Sequence, residues 1–264
     1  MDETPLTGLR IVVTRATDQT SSLVAGLQER GAEVVELPTI AIADPADGGA
    51  ALQRSLADLS GVDWLVITSA NGADRVATVL AHGTTEGEGA APAGLLRRAG
   101  VRLAAIGPGT SRALVAHGLR PDLVPERFVA EGLLEVFPDP PPGGGRVLVA
   151  QAAGARPVLA DGLRSAGWQV EVVEAYRTVH APAGPDRVRA AAGADMVTFT
   201  SGSTVSGYLA AVGIDPPPRA VACIGPITAR AAREAGLTVD VEATEHTVTG
   251  LVEAIVSHIS DRRA

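Results

Sequence analysis

The sequence predicts an α/β protein with two similar domains, each a mostly parallel sheet flanked by helices. Three observations lead to this prediction. Short runs rich in valine and isoleucine alternate with longer segments of helical composition. The same motifs recur in the same order in the two halves of the chain. The 264 residues are 46% hydrophobic and 20% charged, which is the balance of a globular protein with a buried core.

The predicted strands are short and continuously apolar, as expected for parallel sheets covered by helices on both faces. They are Arg10–Thr14, Val34–Leu37, Trp64–Thr68, Arg102–Ile106, Arg146–Ala150, Gln169–Val173, Met196–Thr200 and Ala220–Ile224. The first predicted helix, Gln19–Arg30, ends at Gly31. Later helices end in Ala-Gly or His-Gly pairs, where glycine can adopt the left-handed cap conformation. These glycines are Gly100, Gly118, Gly167 and Gly236.

The internal repeat defines the domain organisation. Its three matches have sequence offsets of 136, 132 and 118 residues, so the second copy is shorter in its loops. The matched pairs are Gly8–Val13 with Gly144–Val149, Leu65–Ser69 with Val197–Ser201, and Ile106–Ala113 with Ile224–Ala231. This order predicts two similar domains rather than a solenoid of short repeats. Two such domains enclose a cleft, and clefts between domains are frequent ligand sites.

Composition excludes several function classes. The formal charge is −8, and the 22 basic residues are all arginine. Without lysine, the chain cannot form a lysine Schiff base or a lysine-bearing phosphate loop. The acidic balance argues against binding to nucleic acid or to an anionic membrane. No apolar run approaches the 18 residues of a membrane span, and MDETPLTGLR lacks an apolar signal region, so we expect a cytoplasmic protein.

We expect neither a metal nor a cofactor. The single cysteine, Cys223, excludes a multi-thiolate metal site and is expected to be a small core residue. The five histidines show no metal-ligand spacing. Gly107-Pro108-Gly109 resembles the start of a dinucleotide fingerprint, but Arg112 stands where the third glycine belongs. A nicotinamide or flavin cofactor is therefore disfavoured.

Three segments rich in glycine or proline are predicted to be loops. They are Gly83–Pro92, Asp139–Gly145 and the segment from Asp215 to Pro218.

Hydroxyl-rich turns follow two predicted strands, one in each copy of the repeat. A serine at such a turn caps the following helix, and the free N–H groups of the first helical turn also bind anions. Capping alone and ligand binding both remain open for these turns. The candidate ligand-binding residues are Thr68, Ser69, Asn71 and Gly72 in the first copy and Thr200, Ser201 and Ser203 in the second.

Other candidates lie after neighbouring strands. Thr110 and Thr228 follow the two Gly-Pro turns and direct hydroxyls from the first helical turn. Thr14 and Arg15 end the first strand, where an arginine can bind a carboxylate through two hydrogen bonds. Tyr176 is one of two tyrosines and lies after a long apolar strand. Each position also has a structural interpretation, such as a helix start for the threonines and packing for Tyr176.

These motifs together resemble the uroporphyrinogen-III synthase family over nearly the whole chain. The segments that carry the resemblance are VVTR at Val12–Arg15, ITSANG at Ile67–Gly72, AIGPGTSRAL at Ala105–Leu114, EAYRT at Glu174–Thr178, FTSGST at Phe199–Thr204 and CIGPITARAAREAGL at Cys223–Leu237. The resemblance implies a cofactor-independent cyclising lyase. Such an enzyme closes hydroxymethylbilane to uroporphyrinogen III, with loss of water and inversion of the last pyrrole ring.

The resemblance also implies an exchanged arrangement of the two domains, which the repeat alone does not distinguish from contiguous halves. Residues 1–38 and 179–264 would form one domain and residues 42–174 the other, joined by a two-strand linker near 38–42 and 175–179. The family places a tyrosine at Tyr176, whose phenol would assist the departing hydroxyl, threonines at Thr110 and Thr228, and a serine at Ser201. The substrate would be a linear tetrapyrrole polycarboxylate, handed over by the deaminase that produces it, and we expect a monomer.

Two other classes compete with this interpretation. A non-catalytic two-domain protein that closes by a hinge would bind a small polyanion without altering it. A nucleotide-dependent enzyme would bind a nicotinamide cofactor tightly, against the incomplete glycine fingerprint. A test for chemical conversion of the ligand separates the first of these from the synthase.

Overall fold

Two five-stranded sheets organise the structure, a computed structural model that describes residues 4–15, 21–82 and 92–263. Within these residues the strands are β1 (Arg10–Val13), β2 (Glu33–Glu36), β3 (Ile40–Ala43), β4 (Trp64–Ile67), β5 (Arg102–Ala105), β6 (Arg146–Ala152), β7 (Gln169–His180), β8 (Met196–Phe199), β9 (Val221–Cys223) and β10 (Val241–Glu242).

The helices occupy the longer segments between the strands. They are α1 (Ser21–Gln28), α2 (Ala50–Ala57), α3 (Ala70–His82), α4 (Pro92–Ala99), α5 (Pro108–Ala116), α6 (Ala130–Val136), α7 (Val158–Ser165), α8 (Pro185–Ala192), α9 (Gly202–Val212), α10 (Pro226–Glu234) and α11 (Val248–Arg263). The contacts divide the chain into two compact units. Unit 1 comprises Met1–Ala41 and Val179–Ala264, and unit 2 comprises Ile42–Thr178.

Unit 1 contains a sheet of strand order β10-β9-β8-β1-β2, in which each neighbouring pair is parallel. Successive residues of β1 enter different cores, because side chains alternate across a strand. Ile11 and Val13 pack with residues of α1 and α11, whereas Val12 packs on the other face with residues of α9 and α10. Helices therefore cover both faces of this sheet.

Unit 2 contains a sheet of strand order β3-β7-β6-β4-β5, in which β7-β6, β6-β4 and β4-β5 are parallel pairs. Leu65 and Ile67 of β4 pack with residues of α2, α3, α4 and α5. Trp64 and Val66, on the opposite face, pack with residues of α6 and α7. The predicted fold class, with two mostly parallel sheets flanked by helices, is confirmed.

The repeat offset of 118 residues corresponds to equivalent hydrogen bonds in the two units. The Asp122 carboxylate accepts the Leu103 N–H at 2.7 Å, and the Asp240 carboxylate accepts the Val221 N–H at 2.9 Å. Leu103 lies in β5 and Val221 in β9, so each carboxylate holds the same part of a parallel strand. The two units thus share local structure as well as sequence.

The predicted glycine caps are confirmed, since all four residues have positive φ. The angles are +71° at Gly100, +74° at Gly118, +96° at Gly167 and +86° at Gly236. The predicted loops at Asp139–Gly145 and from Asp215 to Pro218 contain neither helix nor strand. Residues 83–91 of the predicted loop Gly83–Pro92, and the first two residues of the predicted helix Gln19–Arg30, lie outside the described residues.

The strands that differ from prediction lie at sheet edges or at the crossing between units. β7 continues to His180, well beyond the predicted end at Val173. β3 and β10 were not predicted, and β10, with two residues, is too short to show a strand pattern. The chain passes between the units inside β3 and inside β7.

Candidate active site

The candidate residues lie where parallel strands end and helices begin. In open parallel sheets, ligands bind outside the carboxyl ends of the strands. In unit 2 these positions are the β4–α3 and β5–α5 turns, and in unit 1 they are the end of β1 and the β8–α9 and β9–α10 turns. Each unit therefore gathers its own candidates at one edge of its sheet.

The β4–α3 turn of unit 2 is held by Ser69, the residue before α3. Its Oγ accepts the Gly72 N–H at 3.1 Å, so Ser69 caps the helix. The Thr68 hydroxyl is half-buried and donates to the Ala150 carbonyl at 3.5 Å, while Asn71 is half-exposed in the first helical turn. Gly72 is buried, and a Cβ there would lie 3.3 Å from Ser69 Oγ. The small residue allows the cap to close.

The β8–α9 turn of unit 1 has the equivalent arrangement, with an additional bond. Ser201 Oγ accepts the Thr204 N–H at 3.2 Å, and Thr204 Oγ1 accepts the Ser201 N–H at 3.2 Å, forming a capping box. Thr200 is half-buried and its N–H donates to Thr204 Oγ1, whereas Ser203 is exposed. Capping by both predicted serines is confirmed. A serine hydroxyl that accepts a capping bond can still donate its own hydrogen to a ligand.

The Gly-Pro turns have no side-chain cap. Gly107 and Gly225 precede α5 and α10 in extended conformations, and Pro108 and Pro226 are the first helical residues. Because glycine offers no oxygen to the first-turn N–H groups, these helix starts suit an anionic ligand. Thr110 and Thr228 occupy the same first-turn position in the two helices, and they are 6% and 5% exposed.

The end of β1 combines a structural hydroxyl with a charged group. The Thr14 side chain is fully buried, and its hydroxyl donates to the Thr198 carbonyl at 2.7 Å, which ties β1 to β8. Thr39 donates in turn to the Thr14 carbonyl at 3.2 Å. Arg15 follows, half-buried, and burial lowers the pKa of its guanidinium below the usual value.

Tyr176 lies in β7 beside a register shift in the pairing with β6, opposite Ala152. It is 7% exposed and belongs to the apolar core of unit 2. The other tyrosine, Tyr208 in α9, packs edge-on against Phe199 at 5.5 Å between ring centroids, and burial raises the pKa of its phenol. Both tyrosines are buried. Tyr176 lies within β7 rather than after it, because β7 continues past the predicted end, and it is opposite Ala152, the last residue of β6.

Two side chains of the site region were not identified from the sequence. Thr204 completes the capping box, and its position three residues after Ser201 was the available signal. Thr39 is fully buried between Thr14 and Thr204, donating to both carbonyls, although no local pattern marks it. Its partners are distant in sequence, so only the folded chain shows its role.

Cys223 is fully buried in β9, as predicted, and burial raises the pKa of its thiol to about 12. Among the described residues, no group of three or more His, Cys, Asp or Glu side chains is placed to hold a metal ion. No described helix is long and apolar enough to cross a membrane.

The fold and these turns define a class: paired α/β units on one chain, with hydroxyl-rich helix starts suited to anionic ligands at the carboxyl edge of each sheet. The family profile described as uroporphyrinogen-III synthase HemD matches residues 21–253. The chain belongs to the uroporphyrinogen-III synthase family, a family of cyclising lyases in porphyrin biosynthesis.

Individual relatives match this chain over nearly its whole length. It is 33% identical over 266 aligned positions to the uroporphyrinogen-III synthase of Synechococcus elongatus, with 97% of each chain covered. It is 29% identical to the chloroplastic uroporphyrinogen-III synthase of Oryza sativa subsp. japonica, covering 93% of this chain and 79% of the relative. The structure of a mutant uroporphyrinogen III synthase from Thermus thermophilus covers 96% of this chain and 100% of its own, with a TM-score of 0.61 and 20% identity. At that identity the structural match supports the fold alone.

Proposed function

We propose that this chain converts hydroxymethylbilane to uroporphyrinogen III, with loss of water and inversion of the last pyrrole ring. The observation that carries the proposal is membership of the synthase family over nearly the whole chain. The polar turns at the carboxyl edge of each sheet support it, because the substrate is a polycarboxylate. Residues of both units take part in this proposal.

Substrate carboxylates bind at the helix starts and at Arg15. The Gly-Pro helices offer first-turn N–H groups, and Thr110 and Thr228 lie in the same turns. Arg15 supplies a full positive charge to a protein with a formal charge of −8. Thr14 acts indirectly, since its buried hydroxyl fixes the end of β1 from which Arg15 extends.

Further contacts come from the two capped turns. Ser69 and Ser201 each hold a helix start, so the neighbouring hydroxyl and amide groups are fixed in direction. These groups bind carboxylates at several weak sites rather than one strong site, as suits a ligand that carries eight of them. The neighbouring groups are Thr68, Asn71 and Gly72 in unit 2 and Thr200 and Ser203 in unit 1.

Water is lost when the bond between the substrate's hydroxymethyl carbon and its oxygen breaks. Tyr176 donates a proton to this oxygen, which leaves as water. The electron-rich pyrrole stabilises the resulting cation. For inversion, the α-carbon of the last ring that carries the bridge bonds to this cation, and its old bond to the bridge carbon breaks. The bridge carbon then bonds to the free α-carbon of the ring, which loses a proton that restores the Tyr176 phenol. Because the bilane also closes without an enzyme to the uninverted isomer, positioning is the main contribution of the protein. The reaction uses no cofactor.

The domain organisation and setting form part of the proposal. Units 1 and 2 act as two domains of a monomer, which receives its unstable substrate from the deaminase that produces it. The proposed linkers, near 38–42 and 175–179, contain the places where the contacts separate the units. A cytoplasmic location agrees with a chain whose single cysteine is a free thiol.

The test couples the protein to hydroxymethylbilane made in situ and separates the oxidised uroporphyrin isomers by chromatography. We expect isomer III to replace isomer I, without any added cofactor. Isomer I alone from a folded sample would refute the proposal. It would leave a binding protein for polyanionic ligands as the better interpretation.

A further inference from the structure

Two of the most exposed large apolar side chains of the described residues lie at the Gly-Pro turns. Phe128 and Ile227 are each 57% exposed, more than any other large hydrophobic residue that the structure describes. Ile227 is the second residue of α10, directly after Pro226. Phe128 lies against Gly107, since a Cβ on that glycine would be 3.2 Å from Phe128 Cβ. Ile227 thus directly precedes Thr228, and Phe128 lies against the Gly-Pro turn that leads to Thr110.

The repeat offset of 118 residues relates the surroundings of these side chains. It pairs Gly107 with Gly225 and Phe128 with His246. The His246 ring also packs on its glycine, with Cδ2 2.7 Å from the position of an added Cβ. The same offset pairs Gly109 with Ile227. Each Gly-Pro turn therefore exposes one large apolar side chain. In unit 2 this is Phe128, in the loop before α6, and in unit 1 it is Ile227, in the first turn of α10.

Hydrogen bonding and close packing fix the backbone on either side of Phe128. Before Phe128, the Arg127 carbonyl accepts the Val129 N–H at 2.8 Å, and the Glu245 carbonyl accepts the Thr247 N–H at 2.8 Å in the equivalent turn. Gly132 packs on the same Arg127 carbonyl, where a Cβ would come within 2.2 Å. The exposed Phe128 ring therefore lies on a tightly packed turn rather than at a loosely held loop tip.

We propose that Phe128 and Ile227 contact the pyrrole rings of the bound linear tetrapyrrole. This inference rests on the proposed function and adds two specificity-determining residues to it. A pyrrole ring with carboxylate arms needs both anion-binding groups and apolar surface at one place. The N–H groups of the Gly-Pro helices bind the arms, and the adjacent apolar side chain covers the ring. Each Gly-Pro turn has one set of free helix N–H groups and one exposed apolar side chain next to it.

The experiment measures KM, kcat and the isomer ratio for Phe128→Ala and Ile227→Ala in the coupled assay. We expect KM to rise roughly 3- to 10-fold in each variant, as for loss of one ring contact. Isomer I should increase when substrate is below KM, because poorly held bilane closes without inversion. Phe128→Tyr keeps the ring and should restore the wild-type KM.

Matched controls remove exposed apolar side chains elsewhere in the same units. Val115→Ala removes a side chain that is 54% exposed in the last turn of α5, and Ile214→Ala removes one that is 42% exposed beyond α9. Both should leave KM unchanged. If the wild type forms isomer III while KM is unchanged in either test variant, this inference is wrong and the proposed function stands. If the wild type forms only isomer I, both are overturned.

Discussion

At the scale of single residues, Tyr176 combines deep burial with a proposed role in proton donation. Its 7% exposure places it within the core of unit 2, so removing the hydroxyl while keeping the ring should preserve packing. We expect Tyr176→Phe to fold normally and to lower kcat on the order of 100-fold, the usual contribution of a general acid. The coupled isomer assay measures this effect.

Tyr208→Phe is the matched control for that prediction. Tyr208 is 2% exposed and packs against Phe199, within an apolar cluster of unit 1. Losing its hydroxyl should leave kcat unchanged. Full turnover in Tyr176→Phe, or an equal loss in both variants, would remove Tyr176 from the proposed mechanism.

Cys223 gives a prediction about alkaline stability. Burial raises the pKa of the folded thiol from 9.0 to about 12, so the unfolded thiol ionises first as pH rises. The favourable contribution is complete below pH 9 and is lost progressively between pH 9 and about 12. The free energy of unfolding should therefore fall by about 1 kcal/mol more between pH 8 and pH 10 in the wild type than in Cys223→Ala.

Urea unfolding at the two pH values measures that difference. Comparing the drop in each protein cancels the cost of the smaller side chain, and it cancels the other alkaline groups, including Tyr208. Equal drops in the two proteins would show that the thiol ionises similarly in the folded and unfolded states.

Residue roles were partly predictable from the sequence. Capping by Ser69 and Ser201 depends on neighbours three residues away, and a local pattern shows it. The Thr14 hydroxyl was expected near the ligand, but it donates to Thr198, a residue 184 positions away. Whether a strand-end hydroxyl turns to a ligand or to the next strand depends on sheet order, which the sequence does not show.

At the scale of elements, the turns before α6 and α11 depend on glycine for close packing. A Cβ at Gly132 would lie 2.2 Å from the Arg127 carbonyl oxygen, and one at Gly250 would lie 2.3 Å from that of Glu245. Backbone must move to accept it. We expect Gly132→Ala to lower the free energy of unfolding by about 3 kcal/mol, as measured by chemical denaturation.

Gly109→Ala is the matched control for this element. Gly109 lies in the first turn of α5 and has no atom within 4 Å of an added Cβ. Alanine favours helix over glycine by about 1 kcal/mol, so this variant should be as stable as the wild type or more so. If Gly132→Ala were equally stable, the close approach at Arg127 would be wrong.

Most strands were predictable because they are short runs of mainly apolar residues. The strands that were not predicted, or were predicted too short, are β3, β7 and β10. β3 and the extension of β7 lie where the chain passes between units, and the extension includes the exposed residues Glu174, Arg177 and His180 instead of remaining apolar. β10 has two residues and depends on its pairing with β9. Short strands of this kind gain their conformation from neighbours rather than from their own sequence.

At the scale of the whole molecule, the exchanged arrangement of the two domains is a prediction that fragments of the chain can test. Residues 42–178 include β4, β5 and β6, most of β7 and both apolar cores of unit 2. We therefore expect a fragment of residues 42–178 to fold alone, with cooperative thermal unfolding measured by circular dichroism.

A fragment of residues 1–137 has the same length and serves as its control. It contains β4 and β5 but lacks β6, the strand that separates β4 from β7 in the sheet. It also lacks β8, the partner of β1. This fragment should not unfold cooperatively. The reverse result would favour contiguous halves, which the repeat alone leaves open.

The pairing of β1 with β8 imposes an order on folding during synthesis. β1 and β2 leave the ribosome before unit 2, but β8 is made only after the whole of unit 2. Unit 2 can therefore complete its sheet on the nascent chain, because domains generally fold as they emerge. Meanwhile the apolar residues of β1 remain without their second neighbour. β1 therefore gains its second strand partner only after β8 has been translated.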